Sequence, residues 1–402
     1  MKTQIKQNWQ ETELGNEEYF TLIMGQSPPS SSYNNQQEGM PFLQGNADFG
    51  VMHPSYSKYT KNPLKIAESN DILISVRAPV GEINISRDKI CIGRGLGAIR
   101  VLKGNYLFYF YYLNHIKREI ENMGQGSTFK AITLNELKKV TLGIPSVDEQ
   151  NAISKILSEV DLKLDNVERE RLATERLKRG IMVKLLSHGI GNKKFKYSSE
   201  LNCEIPEHWK VVRYIDVADF INGYPFAPSE WKKVGLPIIR IQNLNGNEDY
   251  NHFDGKIDED YIINKGDLLF SWSATIDLFI WQKEKAVLNQ HIFKVVPNEG
   301  VSKNYLFYAM KNYLSTISGK VHGSTMKHFK KEQLYKNYLP LPPLEEQEKI
   351  VSILSTVDRK LELEQKSKDK LERFKKGLMN DLLTGNKRIN VENVLKIGGK
   401  DD

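Results

Sequence analysis

Apolar residues recur with helical spacing over residues 147–188, and polar residues fill the positions between them. Ile153, Leu157, Val160, Leu164 and Val167 fall on alternating steps of four and three, as a heptad seam does, before the register drifts. Residues 344–385 repeat the pattern through Ile350, Leu354, Val357, Leu361, Leu371, Leu378 and Leu382, with Glu364, Lys368 and Lys375 interrupting the seam. Pro145 and Pro342 lie just upstream, and Asp148-Glu149 and Glu345-Glu346 make the first turns acidic, which suits helix N-termini. Each stretch predicts a helix of about 40 residues, or roughly 60 Å at 1.5 Å per residue.

The two stretches align without a gap at an offset of 197 residues. Pro145, Gln150, Ile153, Leu157, Asp161, Lys163, Lys178 and Gly180 recur as Pro342, Gln347, Ile350, Leu354, Asp358, Lys360, Lys375 and Gly377. An internal repeat of this kind governs the whole architecture. Each amphipathic helix needs a cover for its stripe. The expectation is an antiparallel coiled coil in which the seam of Ile153, Leu157, Val160 and Leu164 faces its copy at Ile350, Leu354, Val357 and Leu361.

The repeat extends into the remaining sequence as a skeleton. Trp9, Phe20 and Gly25 answer to Trp209, Phe220 and Gly223. Short strand-like runs begin at Gly39 and Gly235, and again at Asn70 and Gly266; tyrosine-rich helices begin at Asn105 and Asn304. Each half closes with a strand-like run into proline before its long helix. The predicted plan is a globule over 1–145, a long helix over 146–188, a polar linker over 189–206, a second globule over 207–343, a second long helix over 344–385, and a polar tail over 386–402. Strands mixed with one or two helices make the globules α+β (mixed α/β).

A length of 402 residues fits this plan of two or three domains. The 40% hydrophobic and 27% charged content fits a folded, soluble chain. No apolar run is long enough to span a membrane, and the first residues lack the apolar core of a signal peptide. Cys91 and Cys203 offer neither a disulfide framework nor a metal set, which suits the cytoplasm. The long helices are electrically neutral: 8 acids and 8 bases lie in residues 148–188, and 9 of each in residues 344–385. The rest of the chain carries 40 bases against 33 acids, which is the whole net charge of +7. That placement points to a polyanion at the globules.

Catalytic signatures fail on context. The GRGLG run at Gly93–Gly97 leads into the strand-like AIRVL, whereas a phosphate cradle opens a helix. The SPPS run at Ser27–Ser30 lacks the aromatic that would stack a flipped base. Acid-plus-E-x-K patterns can be drawn at Asp219 with Glu230 and Lys232, and equally through Glu136 and Lys138, so they select nothing. His322 and His328 lack ligand spacing. No catalytic, cofactor-binding or metal-ligating residue is assigned.

Binding residues are assigned instead. Glycine-serine-threonine turns set small residues before lysines, so that amides, hydroxyls and ammonium groups can meet phosphates. The candidates are Ser127, Thr128, Lys130, Lys138 and Lys139 in the first half, and Ser324, Thr325, Lys327, Lys330 and Lys331 in the second. Candidates for reading base edges sit where the halves differ: Gln44, Asn46 and Arg77, against Arg240, Gln242, Asn243, Trp272 and Gln290. Arginine matches guanine and a carboxamide matches adenine, each through two hydrogen bonds.

With helix openings PSVDEQNAISKILSEVD and PPLEEQEKIVSILSTVD, and closings LKRGIMVKLLSHG and FKKGLMNDLLTG, the chain resembles the specificity subunits of type I DNA restriction–modification systems over residues 9–385. The resemblance implies two target-recognition domains alternating with two helices that act as a spacer and dock partners. It implies double-stranded DNA read as an asymmetric bipartite site, two copies of a modification (methyltransferase) subunit, and restriction/translocase subunits. S-adenosylmethionine, ATP and magnesium are then expected in those partners, not in this non-catalytic chain. Two rival readings are a coiled-coil interaction scaffold without DNA, and a solitary nuclease or methyltransferase. A salt-dependent gel shift separates the first from a DNA reader; cleavage or cofactor crosslinking by the isolated chain would rescue the second.

Overall fold

The computed structural model of the chain describes residues 9–124, 131–320, 334, 336–391 and 394. The long helices run over Val147–His188 and Leu344–Leu383. The chain divides into two compact units, residues 1–168 with 366–402, and residues 169–365. Both long helices pass from one unit into the other, so each unit holds one globule, the start of one helix and the end of the other.

In the first unit, four antiparallel strands lie in the order Phe20–Met24, Leu96–Val101, Ile72–Ser75, Ile83–Ile85. A second sheet pairs Met40–Leu43 in parallel with Ile90–Ile92. The ends of the globule are tied by Gln10–Glu13 against Thr141–Ile144. The second unit repeats this plan. Its four-stranded sheet has the order Ala218–Asn222, Ile292–Pro297, Leu268–Ser271, Asp277–Ile280. Its parallel pair is Leu236–Ile239 with Ala286–Leu288, and its closing pair is Lys210–Arg213 with Tyr338–Leu341. Continuous apolar runs such as ILIS at Ile72–Ser75 are buried throughout, as strands covered on both faces must be. The tyrosine-rich helices are Tyr106–His115 and Lys303–Lys320; Asn105 caps the first by accepting from the amides of Leu107 and Phe108.

Two expectations are corrected. Residues 189–206 are more than a polar linker, since Phe195–Ser198 and Cys203–Pro206 form an antiparallel hairpin. Asn202, at a φ of 52°, supplies the left-handed residue next to the second strand. The seam is also partnered differently. In the first unit, buried Ile153 and Leu157 share a core with Leu382 and Leu383. In the second, buried Ile350 and Leu354 share a core with Leu185 and Leu186. Cross-helix contacts fit that antiparallel register: Asp161 pairs with Lys375 and Glu168 with Lys368 in the first unit, and Lys178 pairs with Asp358 in the second. An antiparallel pair sets the start of one helix against the end of the other. The equivalent seam residues at the two helix starts therefore do not meet.

Candidate nucleic-acid interface

Four loops at the ends of strands converge in each globule. In the first, the Gly25 amide donates to Leu96 O (2.9 Å), and Gln26 N to Ile92 O (3.0 Å). Gly93 N donates to Leu43 O (2.7 Å), Gly95 N to Gln44 O (3.1 Å), and Val76 N to Gly95 O (2.9 Å). The Arg94 amide donates to Ser27 Oγ at 3.1 Å. These bonds knit the segments around Gly25, Gln44, Arg77 and Arg94 into one crown. A Cβ on Gly25 would stand 2.1 Å from the Gly93 carbonyl oxygen, so glycine is required by the close backbone crossing.

The second globule uses the same crossing. Tyr224 N donates to Leu288 O (2.7 Å), Gln290 N to Tyr224 O (3.1 Å), Asn289 N to Ile239 O (3.1 Å), and Trp272 N to His291 O (3.3 Å). A Cβ on Gly223 would stand 2.3 Å from the Asn289 carbonyl oxygen. The side chains on this shared frame differ. The first crown exposes Gln26, Gln44, Arg77 and Arg94, with Asn46 half-buried. The second carries half-buried Arg240 with its guanidinium 5.0 Å from the centre of the Trp231 ring, together with exposed Gln242 and half-buried Gln290. Stacking on an indole holds a guanidinium plane and lowers the entropy lost when it forms hydrogen bonds.

The structure sorts the candidates. Gln44, Asn46 and Arg77 come together in the first crown; Arg240, Gln242, Trp272 and Gln290 do so in the second. Asn243 is a correction. It is buried, its Oδ1 accepts from the Arg240 amide, and its Nδ2 donates to the carbonyls of Asn247 and Asp249. Its carboxamide is used up in holding the turn behind Arg240. Trp272 is partly core, edge-on to His291 and donating to Asn222 Oδ1 at 3.3 Å.

Lys138 and Lys139 are not brought to the crown. Lys138 lies beside Gly15, which donates to its carbonyl, before the strand Phe20–Met24 whose far end carries the loops. Ser127, Thr128, Lys130, Ser324, Thr325, Lys327, Lys330 and Lys331 lie outside the described residues. The described chain resumes at Ala131, which bridges Arg77 in the first crown.

Sequence reasoning missed three members, Gln26, Arg94 and Trp231. Arg94 stood inside GRGLG, dismissed as a phosphate loop; the run does lead into the strand Leu96–Val101, and its arginine is exposed at the crown. The Ser27 hydroxyl supports that loop rather than a flipped base. Glu230 turns back to accept from the Ala227 amide (2.8 Å), a capping role and not a nuclease one. Among the described residues, no group of three or more His, Cys, Asp or Glu could hold a metal ion, and no helix is long and apolar enough to cross a membrane.

The model of the type I restriction modification DNA specificity domain matches the sequence twice, over residues 6–174 and 206–373. The chain is 49% identical over 186 residues to the MjaX type I restriction enzyme specificity subunit of Methanocaldococcus jannaschii, covering 46% of this chain and 44% of that one. It is 24% identical over 406 residues to the MjaVIII specificity subunit of the same organism, covering 96% of this chain and 94% of the relative. The crystal structure of a type I restriction-modification system S subunit from M. genitalium superposes with a TM-score of 0.60 at 16% identity, covering 95% of this chain and 98% of that one, a likeness of fold.

Proposed function

Because the chain belongs to the type I restriction modification DNA specificity family, we propose that it reads an asymmetric two-part site on double-stranded DNA and brings catalytic partners to it. The observation that carries this reading is the pair of crowns: one backbone frame, crossed at Gly25 and Gly223, with different side chains mounted on it. A frame built twice for one ligand class, with different readers, is what an asymmetric sequence requires. The first crown presents Arg77 and Arg94 with Gln26 and Gln44; the second presents Arg240 on Trp231 with Gln242 and Gln290. Arginine forks favour guanine and carboxamides favour adenine. The lysines of the glycine-serine-threonine turns, Lys130 and Lys327 first, supply phosphate contacts that position without reading.

The chain is the non-catalytic, reading member of its complex. Two copies of a modification subunit dock on the two long-helix segments, one for each repeat, and restriction/translocase subunits join them. Those partners bring S-adenosylmethionine, ATP and magnesium, and the complex works on DNA in the cytoplasm. The test is methylome sequencing of cells with and without the chain. A two-part motif that vanishes on deletion is the expected result; no change in methylation, together with no salt-dependent gel shift by the complex, would sink the reading.

A further inference from the structure

Two sets of contacts recur between globule and long helices at the repeat offset. The first is a glutamine staple. Gln150 accepts from the Asn105 amide (2.8 Å) through Oε1 and donates to Pro145 O (3.0 Å) through Nε2. Gln347 does the same to the Ser302 amide (2.8 Å) and Pro342 O (2.9 Å). The second set lies further along. Tyr111, on the helix Tyr106–His115, donates to Asp161 Oδ2 at 2.8 Å, and Lys375 of the other long helix pairs with the same carboxylate. Its counterpart is Tyr308 donating to Asp358 Oδ2 at 2.6 Å, with Lys178 on that carboxylate. All three residue types recur at the same spacing, and each Tyr–Asp–Lys triad ties a globule to both long helices, whereas the staple holds it to one.

A single attachment leaves a pivot; a second one, away from it, fixes an angle. Gln150 and Asp161 stand 11 residues apart, about 16 Å along the helix. Tyr111 is 1% exposed and Tyr308 5%, so the rings cannot swing out to follow a moving helix. The Asp161 and Lys375 side chains are 15% and 25% exposed, which spares their attraction much of the screening a surface pair suffers. Burial raises both phenols' pKa, so each remains a hydrogen-bond donor at neutral pH.

We propose that Tyr111–Asp161–Lys375 and Tyr308–Asp358–Lys178 are positioning locks that fix the angle of each recognition globule on its helix pair, and so hold the gap between half-sites to one length. The proposal rests on the two-part DNA reading above. The glutamine staple keeps each globule attached when its lock is opened, so what relaxes is the gap and not the sequence of either half-site.

The test uses the full chain with its methyltransferase partner, reading the methylome and the melting temperature together. Tyr111→Phe with Tyr308→Phe removes two hydroxyls and little else; Lys375→Met opens one lock, and Lys375→Arg keeps its charge. The first two are expected to leave both half-site sequences intact while methylation at gaps one base pair longer or shorter rises about tenfold, the scale of one charge-assisted hydrogen bond. Lys375→Arg restores the strict gap. Arg100→Met, which breaks the Arg100–Asp71 pair inside the first globule, lowers the melting temperature without touching the gap. A gap as strict as wild type in the tyrosine double variant overturns the lock and leaves the DNA reading standing. So does a gap equally relaxed by Arg100→Met. A wild-type complex with no two-part motif overturns both.

Discussion

The attachment points and the crowns of the two halves make opposite use of one repeat. At the attachments the halves agree residue for residue: Gln150 with Gln347, Tyr111 with Tyr308, Asp161 with Asp358, Lys178 with Lys375. At the crowns only the backbone crossing agrees, and Gln44 stands where the other half has Arg240 on Trp231. Side chains are held constant where the globules join the long helices, and they vary on the crowns. The halves also differ within the helix seam. Thr174 and Glu364 are buried and joined by a 3.0 Å hydrogen bond in the second unit, where the repeat places Val167 and Leu371 in the first. Glu364 Oε2 has no hydrogen-bond partner among the described residues.

That difference yields the largest predicted effect. A fragment of residues 1–200 can pack its helix on a second copy, because Thr174 would then meet Val167. A fragment of residues 201–402 would set Glu364 against Leu371 twice, stranding two carboxylates in the seam. Lys360 stays within 3.6 Å of each carboxylate, but a buried charged acceptor that loses its hydroxyl partner costs about 1–3 kcal/mol, and the seam does so twice, so self-association of the second fragment should be lost. Sedimentation at micromolar concentration should find the first fragment dimeric and the second monomeric, with Glu364→Val making the second dimeric too. Equal dimerisation of both unaltered fragments would show that the seam does not discriminate. The dimeric first fragment, given its partner methyltransferase, should read a palindrome made of its own half-site.

The next effect falls on the crowns. Gly223→Ala forces a Cβ to within 2.3 Å of a backbone oxygen that cannot yield cheaply. About 3 kcal/mol of strain is expected, enough to unmake one crown. Methylome sequencing should then show the second half-site degenerate and the first intact; Gly25→Ala should do the reverse. A Gly223→Ala chain reading both halves normally would mean that the crossing does not shape the reader.

Much of this frame was legible in the sequence, because periodicity and a constant offset are properties of the chain itself. The helices, the strand after Asn70, the tyrosine-rich helix after Asn105 and the anchors Gly25 and Gly223 all follow from them. Periodicity gives a helix its buried face but not the register of its partner, so it pairs Ile153 with Ile350, whereas Ile153 shares its core with Leu382 and Leu383. Residue type does not reveal whether a carboxamide is free, so Asn243 passed for a reader while bonded three times to the backbone. Trp231 and Arg240 are separated by a turn and a strand, and only folding puts the guanidinium over the ring. Arg94 did leave a signal, a cation between glycines at a strand end.

Smaller effects separate readers from holders. Arg240→Lys keeps the charge but loses the two-pronged fork and most of the stacking on Trp231, so one position of the second half-site should relax by about 1–3 kcal/mol. Arg77→Lys should do the same to the first half-site. Lys130→Ala or Lys327→Ala should instead weaken binding to every sequence alike and lower the salt slope by about one. Gel shifts across a library of sites at several salt concentrations distinguish the two patterns. Lysine variants that altered sequence preference, with silent arginine variants, would reverse the assignment.

The smallest effect lies where the long helices begin. Glu346 accepts from the Ile190 amide (3.1 Å), Asn192 Nδ2 (2.9 Å), His208 Nε2 (3.0 Å) and Trp209 Nε1 (2.9 Å). Its repeat counterpart Glu149 is held by Arg388, whose side chain is 56% exposed, while Trp9 Nε1 in the same unit is buried without a partner among the described residues. Burial pushes the Glu346 carboxyl up, but the donors around it outweigh burial and hold its pKa below the usual carboxylate range. A carboxylate depressed in the folded state contributes stability above its unfolded pKa of about 4.3, and loses it as pH falls through the lower folded value. Glu346→Gln should therefore cost about 1–2 kcal/mol at neutral pH and converge on wild type in strong acid. Glu149→Gln breaks a pair with one partner largely in water, and about 0.5–1 kcal/mol is expected. Thermal melting from pH 7 down to about pH 3 measures both, within the carboxylate titration range. A Glu346→Gln deficit that stayed constant across that range would mean that the residue acts through shape and hydrogen-bond count alone, and that its charge contributes nothing to holding Trp209 at the helix start.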